Sequence, residues 1–224
     1  MTAAEFSNEF DALIQTYSED FKFGKHNSYI LDEYEKSVFL TKAQEEILIE
    51  LYTGRGSIQT AFEESEELRR YLSSIVKEKS LISASGDSIY DTSTIYTVDN
   101  EVLFIIYEKA KIGTKRVKVY PVKHDDLDKI INNPFRGPSD SRVLRLNYDN
   151  KIELISKSNK VSEYKIRYIK RPNPIILTGV SSTDLTLDNI NREQVSELDP
   201  LLHRKIVERA VLLALQSLNM TSKK

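Results

Sequence analysis

No cysteine occurs among the 224 residues, so disulfides, Cys–zinc centres and thiol nucleophiles are excluded. Tryptophan is also missing, and methionine appears twice. Long apolar runs are lacking. "AVLLAL" (210–215) is among the longest, far short of the roughly 18 residues a membrane span needs, so no membrane partner is expected. The opening "MTAAEFSNEF" has neither a basic nor an apolar stretch of the kind that directs secretion, and no leader is expected. Glycine is scarce, at seven. No Walker A loop and no G-x-S-x-G elbow can be found. The G-x-G within "TGRG" (53–56) lacks the strand and further glycine of a phosphate loop, and Gly54 is better taken as a helix C-cap.

What the chain does have is charge, unevenly placed. Lys and Arg number 32 against 34 Asp and Glu, a net charge of −2. Residues 1–80 carry 16 acids and 9 bases, residues 81–180 carry 12 and 17, and residues 181–224 carry 6 of each. An acidic first third and a basic middle can attract each other, within one subunit or between neighbours. Uneven surface composition is the plainer alternative.

Hydrophobic spacing divides the chain into helices, a β-rich block and a last helix. Phe6, Phe10, Leu13, Ile14 and Tyr17 fall on one stripe of a helix over 2–17, with Thr2 and Glu5 as its capping box. "SVFL" (37–40) suggests a short extended piece. Thr41 and Gln44 then look like the capping box of a helix carrying Ala43, Ile47, Leu48, Leu51 and Tyr52. A third helix is expected over about 58–76, with Ile58, Ala61, Phe62, Leu68, Leu72, Ile75 and Val76 inward. From about 81 the period becomes that of strands. Asp99-Asn100 and Asp149-Asn150 each sit between two β-rich runs, the pattern of a hairpin. "RVKVYPV" (116–122) is a strand whose proline marks an edge. "HDDLDKIINNPF" (124–135) is a short helix stopped by Pro134. Asp199 and Pro200 start the last helix, with Leu202, Ile206, Val207, Ala210, Val211, Ala214, Leu215 and Leu218 inward. The predicted fold class is α+β: a bundle of N- and C-terminal helices (1–80 and 181–224) with an inserted antiparallel β-rich domain (81–180), whose exposed edges would meet neighbours.

Chemistry-bearing clusters are few. His26, His124 and His203 lie in separate elements. His124, Asp125, Asp126 and Asp128 offer one imidazole and three carboxylates, the donors of a possible metal-dependent hydrolase. Asp125 and Asp126 equally suit a helix N-terminus, which favours negative charge. His203, in the first turn of the last helix near Asp199, suits a pairing or solvent-facing role. No catalytic residue, metal or cofactor is expected, and the chain is not expected to be an enzyme. Twelve tyrosines suit either an interface or an ordinary sheet surface.

"EYKIRYIKRPNPII" (163–176) is the most suggestive stretch. Tyr164, Ile166 and Tyr168 share one face of a strand, Lys165 and Arg167 the other, and Lys170 and Arg171 lie at its end. Residues 174–178 continue it or leave it. A basic strand of this kind fits a nucleic-acid-binding module using 164–171. It fits equally a half-buried strand whose basic face meets a neighbour, or is simply solvated.

"LDEYEKSVFLTKAQEEILIELYTG" (31–54), "YKIRYIKRPNPIIL" (164–177) and "LDPLLHRKIVERAVLLAL" (198–215), with "HDDLDKIINNPFRGPSDSRVLRL" more loosely, resemble virion structural proteins of crAss-like bacteriophages, short-tailed viruses, and among them the ring proteins of the head-to-tail connector. The resemblance implies a homo-oligomeric ring of twelve copies around a DNA channel. It implies as partners the portal protein and further tail and ring proteins, with genomic DNA passing without sequence-specific binding. The place implied is the portal–tail neck of the virion, assembled in the host bacterial cytoplasm. Adaptors of this kind often dock through a long C-terminal tail, and here only "NMTSKK" follows the expected last helix.

Overall fold

The computed structural model describes residues 1–20, 31–55, 65–84, 86, 88–180 and 185–221. Its contacts divide the chain into two compact units, Met1–Ile75 with Pro172–Lys224, and Val76–Arg171. Among the described residues, five α-helices and an eight-stranded, mostly antiparallel sheet make it an α+β protein.

The first unit holds α1 (Ala3–Asp20), α2 (Glu33–Thr53), α3 (Glu66–Leu72) and α5 (His203–Thr221). Helix α1 starts as expected: the Glu5 amide donates to Thr2 Oγ1 at 3.2 Å, and the Thr2 amide to Glu5 Oε2 at 2.7 Å. Helix α2 does not. It begins eight residues before Thr41, with Asp32 and Glu35 as its capping box, and runs straight through 37–40. Gly54 ends it with φ 66°, as expected. Residues 56–64 lie outside the described residues, and with them Ile58, Ala61 and Phe62. Helix α3 ends before Val76, where the expected helix would stop, and leads through a 3-10 turn, Ser73–Ile75, directly into a strand. Asp199 caps the last helical run, its Oδ1 accepting from the Leu201 amide at 2.9 Å.

Both α1 and α2 pack on α5. Phe6, Phe10, Leu40, Leu48, Leu72, Ile206, Val207 and Val211 are among the fully buried side chains. The ion pair of Arg209 with Glu46 (2.7 Å) joins α5 to α2. Lys36, only 3% exposed, donates to Asp11 at 2.7 Å, Glu33 at 2.9 Å and Ser7 at 3.1 Å. A buried ammonium is tolerable only when its donors are filled in this way.

The polar stripe Ser37, Thr41 and Gln44 explains why α2 misleads as a sequence. These residues lie on one face, which receives the extended segment after Pro172. The Leu177 amide donates to Ser37 Oγ at 3.0 Å and the Ile175 amide to Thr41 Oγ1 at 3.0 Å. Gln44 Nε2 donates to the Asn173 carbonyl at 2.9 Å, and Gln44 Oε1 accepts from Ser196 Oγ at 2.6 Å. A helical i, i+4, i+7 stripe thus serves alternate residues of an extended chain. Residues 174–178 therefore do not prolong the sheet; Ile176 makes a single bridge with Gln194.

The second unit holds β1 (Val76–Leu81), β2 (Ser83–Ala84), β3 (Thr94–Thr97), β4 (Val102–Ile112), β5 (Lys115–Pro121), α4 (Leu127–Ile131), β6 (Arg142–Tyr148), β7 (Lys151–Ile155) and β8 (Glu163–Lys170). The order across the sheet is β1-β8-β4-β5-β6-β7-β3-β2. Its two outermost strands, β1 and β2, are one stretch of chain interrupted only at Ile82, so the sheet curls until its ends meet. The rings of Tyr96 on β3 and Tyr164 on β8 confirm the curl: their centroids lie 5.1 Å apart. In a flat sheet five strand spacings would hold them about 24 Å apart. Tyr96, Val143, Ile152, Leu154, Tyr164, Ile166 and Tyr168 fill the interior. A second cluster, Leu127, Leu144, Leu146 and Ile155, packs on the outer side with Ile130 and Ile131.

The curl brings the two ends of the sheet together through the run of β1 into β2, and among the described residues β1 pairs only with β8, which leaves its other side unpaired, as an expected edge would be. The block is also not wholly antiparallel, because β5 and β6 pair in parallel. Of the two expected hairpins, one forms. Asp149 and Asn150 adopt φ 40° and 52° and join β6 to β7. Asp99 and Asn100 do not adopt positive φ; β3 pairs with β7, and β4 with β8 and β5.

Candidate subunit-contact surface

Strand β8 lies inside the sheet, between β1 and β4, and not at an edge. Tyr164, Ile166 and Tyr168 point into the interior, and Lys165 and Arg167 outward, as their alternation requires. The outward cations are already engaged. Arg167 Nη2 donates to Glu78 Oε2 at 2.9 Å, with its guanidinium 5.9 Å from the centre of the Tyr107 ring. Lys165 Nζ lies 3.1 Å from Glu163, which also accepts from Lys111 at 2.5 Å. The Arg167 hydrogen bond holds the Glu78 carboxyl below its ordinary range, and Lys111 and Lys165 do the same for Glu163. Lys170 and Arg171 sit at the far end of the strand and have partners of their own; the Arg171 amide donates to the Glu101 carbonyl at 2.7 Å. Solvent screens such exposed pairs, and they add little to stability. The structure brings Lys165 and Arg167 together and leaves Lys170 and Arg171 apart from them.

Three basic residues that form no ion pair among the described residues of this surface lie on the neighbouring strands β4 and β5. A cleft of ≈ 780 Å³ opens between β4 and β5. Its acids are all paired: Glu78 with Arg167, Glu163 with two lysines, and Glu108 with Arg145. Lys109, Arg116 and Lys118 are left over. Sequence reasoning missed them because they come together only across the Gly113-Thr114 turn. The signal was present in "KAKIGTKRVKVY", alternating basic residues on both sides of a glycine with φ 59°. By residue count the β unit holds 19 bases and 13 acids, and the helical unit 13 bases and 21 acids.

Beneath the cleft, Tyr164 donates its hydroxyl to Glu108 Oε2 at 2.6 Å, and Arg145 donates to Glu108 Oε1. Burial, with Glu108 next, pushes the Tyr164 phenol well above its ordinary value. Every oxygen of the carboxylate is thus committed to holding strands together.

The other candidates do not converge on chemistry. His124 Nε2 lies 2.9 Å from the Asn147 carbonyl, and among the described residues no three His or acidic side chains come close enough to hold a metal. Asp125 and Asp126 lie in the first turn of a short helical run. His203 is buried and not solvent-facing: its Nε2 lies 3.1 Å from the Leu198 carbonyl, its ring packs at 5.2 Å from Phe6, and burial lowers its pKa. Tyr96, Tyr164 and Tyr168 are core residues.

Comparison with known proteins agrees with a structural role. Over residues 1–224 the chain matches the family model of phage tail ring protein 3/4. It is 41% identical over 229 residues to Ring protein 3 of Bacteroides phage crAss001, an alignment covering 97% of this chain and 96% of that protein. Ring protein 4/5 of the same phage is 32% identical over 225 residues, with 96% and 92% covered. The chain therefore belongs to the phage tail ring protein 3/4 family of crAss-like phages, and is a tail and ring structural protein.

Proposed function

We propose that copies of this chain form a ring in the head-to-tail connector of a short-tailed phage, joining the portal to further tail and ring proteins around the DNA channel. The observation that carries this reading is the family match along the whole chain. Twelve copies would match a dodecameric portal, and the neck of the virion is the place such a ring would occupy. In this reading the helices form a bundle from which the β unit is inserted, the subunits meet head to tail, and the rotation between them closes. The acidic helical unit of one copy faces the basic β unit of the next, and Lys165, Arg167, Lys170 and Arg171 contribute to that basic face. The work is geometric: two binding faces and an open channel, with no bond made or broken.

A pull-down with co-expressed portal protein tests it. The chain is expected to associate with the portal and to bind a short free duplex weakly or not at all at moderate salt. Tight duplex binding with a steep salt slope, without portal association, would replace this reading by a nucleic-acid-binding module.

A further inference from the structure

The ladder between β4 and β5 stops early. It holds three pairs, Ile112↔Lys115, Lys111↔Arg116 and Ala110↔Val117, although both strands continue. A two-residue turn makes Ile112 and Lys115 a hydrogen-bonded pair, so Ala110 and Val117 form the next one. By the same alternation the following hydrogen-bonded pair would be Glu108 with Val119. That pair is not formed. Strand β5 is drawn instead to β6, where the Lys118 amide donates to the Ser141 carbonyl at 2.8 Å and the Val122 amide to the Arg145 carbonyl at 2.9 Å. On β4 the Lys111 carbonyl accepts from the Ser162 amide at 2.8 Å, so by alternation the backbone groups of Lys109 and Lys111 face β8 and those of Glu108 face the cleft. The backbone N–H and C=O of Glu108 and Val119 therefore face the ≈ 780 Å³ cleft with no strand partner among the described residues.

We propose that this gap is filled by an extended acidic segment from the helical unit of a second copy of the chain, added as a short strand. The inference rests on the ring reading above. Charge selects the occupant. Lys109, Arg116 and Lys118 rim the gap with positive charge that no ion pair among the described residues takes up, although Lys109 also lies 5.3 Å from the Tyr107 ring centre and acts on Glu78 from a distance. Basic residues on an open edge repel the same edge of another copy, so two β units do not zip together. The same residues attract a strand from the unit that carries 21 acids against 13 bases. Tyr107 and Tyr120, 50% and 43% exposed, flank the gap with apolar area for such a strand to cover. Pro121 is placed where an edge permits it: its missing N–H falls on the open side, and the bonds to β6 are kept.

Hydrogen exchange tests this directly. The Glu108 and Val119 amides should exchange readily in the isolated chain and slow by about fivefold or more in assembled rings, the worth of one hydrogen bond each. Val119→Pro removes the donor on the open side without touching the Lys118 and Val122 amides, and is expected to weaken assembly. The surface pair Lys109→Glu with Lys118→Glu should weaken it too, with an unchanged unfolding midpoint as the control for folding. Rings in which both amides exchange as in the isolated chain, and which both variants still form, overturn the gap as a contact and leave the ring reading standing. Failure to find rings, from the chain alone or in particles, overturns both. Protection of the two amides by a short DNA duplex, and not by assembly, would assign the gap to nucleic acid and overturn the proposal.

Discussion

Replacing Gln44 with methionine should loosen the helical unit far more than a single side chain of equal length suggests. Gln44 is fully buried, so Met keeps its volume and most of its packing. What is lost is a pair of hydrogen bonds. The Asn173 carbonyl loses the Nε2 donor at 2.9 Å, and the Ser196 hydroxyl loses the Oε1 acceptor at 2.6 Å. Each group stays where it was, with its partner gone, at a cost of about 1–3 kcal/mol. Together the loss is about 2–5 kcal/mol, since Ser196 Oγ still accepts from the Leu198 amide at 3.2 Å. For a unit of this size that lowers the unfolding midpoint by about 6–20 °C. The assay is thermal and urea unfolding followed by the far-UV helical signal. Adding Ser196→Ala should cost less on top of Gln44→Met than it does alone, because the two groups share one bond. A midpoint drop of under about 2 °C, the size of a surface substitution, would refute the view that the Ser37-Thr41-Gln44 stripe holds the returning chain.

Ring association should weaken as salt rises from about 0.1 to 1 M, which shortens the screening length from about 10 to 3 Å; sedimentation showing no salt dependence would mean apolar contacts dominate. Lys165→Glu with Arg167→Glu breaks the pairs with Glu163 and Glu78 and reverses the outward face of β8, so assembly should fall while the monomer keeps its fold; unimpaired assembly would make that face merely solvated. Stability should fall in alkali. Burial raises the Tyr96 and Tyr168 phenols to about 12, so the folded chain keeps protons that the unfolded chain releases near pH 10. The contribution is whole below about pH 10 and is lost as pH climbs toward about 12, seen as a falling urea midpoint; a flat profile there would contradict the buried tyrosines. Gly137→Ala should destabilise the loop after α4, since a Cβ would come within 2.7 Å of the Asn133 and Ile131 carbonyl oxygens, and a thermal midpoint equal to the parent's would contradict this.

The elements most legible in the sequence are those whose local rules no other part of the chain opposes. Thr2 with Glu5, Gly54, and Asp199 with Pro200 mark helix ends in the sequence and in the structure alike. Asp149-Asn150 turns a hairpin because positive φ there suits strands that go on to pair. Asp99-Asn100 is the same dipeptide in the same setting, yet β3 finds its partner in β7, and no local signal announces a partner more than fifty residues away. The Thr41–Gln44 pattern imitates a helix start because its polar groups are needed inside a helix, for a segment 130 residues later. "VKEKSL" (76–81) hides a strand, since its charged residues face solvent in a half-exposed strand as they would on a helix. Lys165 and Arg167 were visible as a basic face but not as paired. Lys109, Arg116 and Lys118 were overlooked because their convergence belongs to the hairpin and not to any one strand.

The central claim is that this chain is a ring component of the head-to-tail connector. Imaging purified phage particles and fitting the chain to the density tests it most directly. The account predicts a closed ring of copies in the neck, below the portal and around the DNA, with the acidic unit of each copy against the basic unit of the next. Density for the chain elsewhere in the particle, or in the neck without contact between neighbouring copies, would contradict it.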